Sequence, residues 1–184
     1  MKYFLQLVLL AALGFAANAQ AEVQTQEIEY TQSGTTLKGF LAYDSAIKTK
    51  RPGILVVHEW WGHNEHARDR ARMLAEVGYT ALAVDMYGNG KTADHPKKAG
   101  EFANAAFKDW EVSKARFNKA KEVLQSHKTV DAELIGAIGF CFGGAVSIRM
   151  ARGGADLDGV VAFHSSLPLQ PAITNMKASV LVIN

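Results

Sequence analysis

The single cysteine of this chain, Cys141, stands between two glycines in the spacing Gly139-x-Cys141-x-Gly143. That spacing is the pattern of a nucleophile elbow, with a thiol in place of a hydroxyl. Upstream, the apolar run from Leu134 through Ile138 has the length and branching of a buried strand. Downstream, Val146 and Met150 share one face at helical spacing. So tight a turn from strand to helix strains its apex residue, and side chains two positions before and after it would collide, a clash glycine avoids. The apex also begins a helix, where unpaired N–H groups and the positive end of the dipole favour a thiolate, the reactive form. The N–H of Phe142 points where an oxyanion would develop during attack on an ester carbonyl. The bland alternative is a buried structural cysteine, a common fate for free thiols. It does not require strand, both glycines and helix together.

Other chemistry-bearing residues are weaker candidates. His58-Glu59 could open the H-E-x-x-H zinc motif, but Gly62 occupies the second histidine position and the segment ends a strand. A looser metal cluster of His58, Glu59, His63 and His66 is the remaining metal reading, and no metal is expected. Gly90-Lys91-Thr92 resembles the end of a phosphate loop, yet Asp85 stands where its first glycine should be. His164 ends the strand after the elbow, on the side of the sheet where sites form. Asp156 and Asp158 precede it, so the order nucleophile, acid, histidine is met in name. Both aspartates begin that strand and so sit at the opposite edge from Cys141, which favours a pocket-wall role for His164 over a base.

The elements that must position these residues alternate. Glu27 to Thr31 and Thr36 to Tyr43 read as a hairpin around Ser33-Gly34. Gly53 to Glu59 is too continuously apolar for a one-sided strand and reads as a central strand of a parallel sheet. A helix is predicted over 64–76, ended by Gly78, then a strand over 80–86 and a Gly/Lys-rich connection over 87–100. Phe107, Trp110, Phe117 and Leu124 predict one long helix over about 103–127, its lysines facing water. The elbow strand, a helix to about Gly153, a strand over 157–164, an irregular stretch over 165–176 and a last strand over 178–184 complete the chain. This alternation specifies an α/β fold with an open, mostly parallel, doubly wound sheet.

The 184 residues are 48% hydrophobic with a net charge of +2, which suits one globular domain with a sizeable core. The 20 basic and 18 acidic residues are interspersed, so no nucleic-acid partner is expected. The N-terminus differs in kind. Lys2, an apolar stretch from Phe4 to Ala16 and small residues at alternate positions through Ala21 read as a secretory signal over 1–21, leaving a domain over 22–184. A periplasmic or secreted protein is expected, without a membrane partner once the signal is cleaved. In an oxidising compartment a lone cysteine can form no intramolecular disulfide.

Taken together, Val56-Val57-His58-Glu59-Trp60-Trp61-Gly62, Ala81-Leu82-Ala83-Val84-Asp85-Met86-Tyr87-Gly88 and Gly139-Phe140-Cys141-Phe142-Gly143-Gly144 resemble the dienelactone hydrolase family of α/β-hydrolases, in the family's order. The resemblance implies hydrolysis of a small-molecule lactone or activated ester through a thioester on Cys141, with no cofactor. It implies that Glu59 contacts the nucleophile and helps switch thiol to thiolate. It makes Trp60 N–H the second oxyanion donor beside Phe142, and Trp60, Trp61, Phe140 and Tyr87 the shapers of a pocket. It also implies that the triad aspartate and histidine would follow the strand ending at Asn184. The chain therefore reads as truncated at its C-terminus, with a sheet edge and part of the core exposed.

Overall fold

The computed structural model describes residues 21–167 and 175–184. The expected signal lies outside them apart from Ala21, as do residues 168–174 of the stretch expected to be irregular. The alternating segments after it form a hairpin, β1 (Val23–Gln32) and β2 (Thr35–Asp44), with Gln32 opposite Thr35. Ser33 and Gly34 between them both take positive φ, 47° and 76°, the turn whose twist matches that of paired strands.

The apolar runs give β3 (Arg51–Val57), β4 (Thr80–Val84), β5 (Val130–Phe140), β6 (Gly159–Phe163) and β7 (Ser179–Ile183). The sheet order is β1-β2-β4-β3-β5-β6-β7, with β3 to β7 parallel and the hairpin antiparallel. Parallel strands bring their C-terminal ends to one edge, so His58 to Trp61, Asp85 to Tyr87, Cys141 and His164 all lie along it.

Strand alternation divides the core in two. Val56, Ala81 and Ala83 pack under α1 (Glu65–Glu76), whose Ala67, Ala71 and Ala75 recur every fourth residue and let the helix approach closely. Leu55, Val57, Leu82 and Val84 face the other way, into a larger core with Phe117 and Leu124 of α3 (Trp110–Gln125) and Val146 of α4 (Phe142–Arg152).

The structure corrects the expected helix over 103–127. Two helices stand there, α2 (Pro96–Lys108) and α3, hinged at Asp109 with φ −100° and ψ 67°. Pro96 is set for a first turn, and the ring of His95 caps it by accepting from the Lys97 N–H, so α2 begins seven residues early. At the hinge, the Ser113 hydroxyl donates to the Ala106 carbonyl. The elbow strand also starts earlier than expected. Its pairing with β3 jumps from Pro52–Asp131 to Gly53–Ile135, so residues 132–134 bulge out before the regular ladder.

On the α1 side, β5 is reached by α1 at Phe140, and β6 and β7 are uncovered among the described residues. Ile138, Val161 and Leu181 form one cross-strand row there, and Leu134, Leu181 and Ile183 are 43%, 55% and 46% exposed.

Candidate active site

Cys141 sits at φ 53° and ψ −111°, the strained apex that the glycine spacing foretells. Its N–H donates to the Phe163 carbonyl at 2.9 Å, and its own carbonyl accepts from Ala145 N–H as α4 begins. A Cβ on Gly139 would run into the Gly143 carbonyl, and one on Gly143 into the Val57 carbonyl. The second collision shows what Gly143 does: it lets the first turn of α4 lie against the end of β3. Gly144, beside that spacing, is also confined, since a Cβ there would stand 2.7 Å from that of Ser165.

The loop leaving β3 is held from below. His58 is fully buried, and burial lowers its imidazole pKa to about 4. Its Nδ1 lies 2.5 Å from the Glu59 carbonyl, and its Nε2 accepts from Met86 N–H at 3.3 Å. The Tyr87 hydroxyl donates to the Trp60 carbonyl at 3.1 Å. Burial, then the charge of nearby Cys141, keeps that phenol well above its usual range and therefore a donor.

Asp85 organises the neighbouring turn. One carboxylate oxygen accepts from the N–H groups of Tyr87 and Gly88 at 3.0 and 2.7 Å; the other accepts from those of Gly90 and Lys38 at 2.7 and 3.2 Å. Four amides converge on one buried carboxylate, and that convergence aims Tyr87 at Trp60.

Above Cys141 opens a cavity of about 620 Å³. Trp60, Ala103, Phe107, Phe142 and Ala145 supply an apolar wall, and His164, Ser165, Ser166 and Asn184 a polar one.

Residues 37–183 match the Dienelactone hydrolase family. The chain belongs to the dienelactone hydrolase family. Protein usf of Aquifex pyrophilus is 30% identical over 158 residues, covering 83% of this chain and 65% of that protein. A putative carboxymethylenebutenolidase of Aquifex aeolicus is 29% identical over 130 residues, covering 68% of this chain and 54% of its own length. The chain thus spans between about half and two thirds of these curated relatives. Among solved structures, m3DLH superposes with a TM-score of 0.82 at 37% identity, over 88% of this chain and 68% of that one. A dienelactone hydrolase-like promiscuous phosphotriesterase, P91, from metagenomic libraries superposes at 0.83 and 34% identity with the same coverage.

Within this dienelactone hydrolase fold, Cys141, Trp60, Phe142 and His164 come together around one cavity. Phe140 does not. Strand alternation turns it to the other face, where it stacks on Phe163 with centroids 4.8 Å apart and meets the His66 ring edge-on. Trp61 packs behind Trp60 at 5.2 Å, and Tyr87 lies beneath the cavity as a brace. Glu59 is half-buried at the strand end and is not among the cavity-lining residues; its backbone carbonyl is what His58 engages.

His164 takes positive φ (49°), with its N–H on the Ile183 carbonyl at 2.7 Å. The aspartates before it have other partners. Asp156 pairs with Lys177, and Asp158 accepts from Ile135 N–H at the far edge of the sheet, five strand residues from His164. Sequence reasoning passed over Asp85, whose signal was a carboxylate ending an apolar strand just before the turn-rich Tyr87-Gly88-Asn89-Gly90.

Proposed function

We propose that the protein hydrolyses lactones or activated esters through a thioester on Cys141. The observation that carries this reading is the placement of Cys141, at a strained elbow that opens into the cavity beside Trp60 and Phe142. In the acylation step the Cys141 thiolate bonds to the ester carbonyl carbon, and the carbonyl π pair moves onto oxygen. The N–H groups of Trp60 and Phe142 receive that charge. The oxyanion then collapses, the C–O bond breaks and the alkoxide departs. Water then adds to the thioester carbonyl, the C–S bond breaks to return the thiolate, and the proton that water gives up ends on the departed alkoxide, leaving the alcohol and the carboxylate.

The cavity lining supports activated substrates. Cys141 and His164 are the titratable side chains among the described residues that line it, and leaving groups that depart as stabilised enolates or phenolates need the least proton donation. The aromatic wall suits an apolar acyl chain and the serine-lined wall a polar one. Glu59 is proposed as the modulator of Cys141, its side chain turning toward the thiol when substrate arrives while its backbone carbonyl stays on His58. The N-terminal signal pattern supports export, and the mature N-terminus in an exported fraction would test it.

The experiment is turnover of p-nitrophenyl esters and of an enol lactone by the full natural chain and by Cys141→Ala. Hydrolysis by the wild type, lost by at least about 10⁴-fold in the variant, supports the proposal. Binding of the same compounds without turnover would overturn it in favour of a ligand-binding role.

A further inference from the structure

The Glu59 carbonyl, on the proposed oxyanion side of the cavity, is held twice, by the His58 ring and by the Gly62 N–H at 3.2 Å. The Glu59–Trp60 peptide is planar and trans, so its carbonyl and its N–H point in opposite directions. His58 Nδ1 stands 2.5 Å from that carbonyl, while His58 Nε2 faces the Met86 N–H. A carbonyl can only accept and an amide N–H can only donate, so Nδ1 must carry the proton and the ring is neutral. The two following carbonyls are tied as well, that of Trp60 by the Tyr87 hydroxyl and that of Trp61 by the Ala93 N–H at 2.8 Å. The same imidazole stacks on Phe142, centroids 5.7 Å apart and planes 17° from parallel, and meets Tyr87 edge-on at 4.7 Å.

We propose that His58 is a positioning residue that sets the two oxyanion donors against each other, fixing the Glu59–Trp60 peptide by hydrogen bond and Phe142 by stacking, with Tyr87 as a second brace. The inference rests on the oxyanion assignment above. Its physical content is the suppression of a peptide flip. If the Glu59–Trp60 plane turned over, a carbonyl rather than an N–H would face the developing negative charge. Among the described residues no hydrogen bond joins His58 or Tyr87 to Cys141, so the reactivity of the thiol itself should change little.

That separation defines the test. Acylation of Cys141 by p-nitrophenyl acetate needs the oxyanion donors, whereas alkylation by iodoacetamide is a displacement that forms no oxyanion. Both rates are measured on the full natural chain as wild type, His58→Phe, His58→Gln and Tyr87→Phe. His58→Phe keeps the stacking and loses both hydrogen bonds. Its acylation is expected to slow by about 100-fold, with alkylation changed less than about twofold. His58→Gln, whose amide carries both a donor and an acceptor, should recover at least about tenfold of that loss. Tyr87→Phe should slow acylation by about tenfold, with alkylation again spared.

Acylation as fast in His58→Phe as in the wild type would overturn the proposal. So would acylation and alkylation slowing together in the folded variants. If His58→Phe does not fold, Tyr87→Phe and His58→Gln decide by the same split. A wild type that is alkylated but never acylated would instead overturn the hydrolase reading, and this inference with it.

Discussion

The two walls of the cavity over Cys141 are built to different standards. On the Trp60 side, three successive loop carbonyls, a neutral buried histidine and a carboxylate gathering four amides leave little freedom. On the His164 side, an exposed imidazole sits at positive φ, and Ser165 N–H relies on the Asn184 side chain at 2.9 Å. On the proposed reading, the contrast separates two needs of acyl transfer. The groups that receive developing charge must be preorganised before substrate arrives, whereas the groups that recognise the substrate can be fewer and more open.

The harshest way to break the comparison is at the seam of elbow and rigid wall. Gly143→Ala drives a Cβ into the Val57 carbonyl, so ester hydrolysis should fall by about 10³-fold or more. Denaturant unfolding should show a loss of about 3 kcal/mol.

Acid should act next, and on the rigid wall. Burial lowers the pKa of His58 to about 4, and burial followed by the charge of Arg68 does the same for His63. Both lie below the ordinary value of about 6.5, so the unfolded chain binds more protons than the folded one. The stability they contribute is complete above pH 6.5 and declines as the pH falls from 6.5 to about 4, on the order of 3 kcal/mol for each histidine. Unfolding free energies measured across that window should show this slope, and His58→Gln should remove about half of it.

Asp85→Asn comes third. It sets an NH₂ against backbone donors that the carboxylate now satisfies, and should cost about 2 kcal/mol while leaving the strands intact. His164→Ala is the gentlest. On the open wall it should change stability by less than about 1 kcal/mol, and a larger loss would mean that this side is as constrained as the other.

The same division governs what the sequence made legible. The elbow could be read because each glycine answers a local collision, and β3 and β4 because their apolar runs admit one placement. The sheet's two faces hid Phe140: one residue before the nucleophile, it belongs to the opposite side. The hinge at Asp109 is masked by apolar spacing that carries through it from Phe107 to Leu124, whereas its causes, the helix start at Pro96 and the Ser113 back-bond, leave no mark on that spacing. The spacing around His58 suggests only a metal ligand, because spacing does not say which ring nitrogen meets which backbone group. Asp85 falls inside the strand expected over 80–86, and its role is not legible there, since the four amides it gathers come from two separate elements.

The most direct test of the account is mass spectrometry of the natural chain quenched with acid within the first turnover of p-nitrophenyl acetate, followed by peptide mapping. The account predicts one acetyl group on the peptide containing Cys141, absent in Cys141→Ala and lost again as the thioester hydrolyses. Release of p-nitrophenol with no acyl group on Cys141, or with the acyl group on another residue, would contradict it.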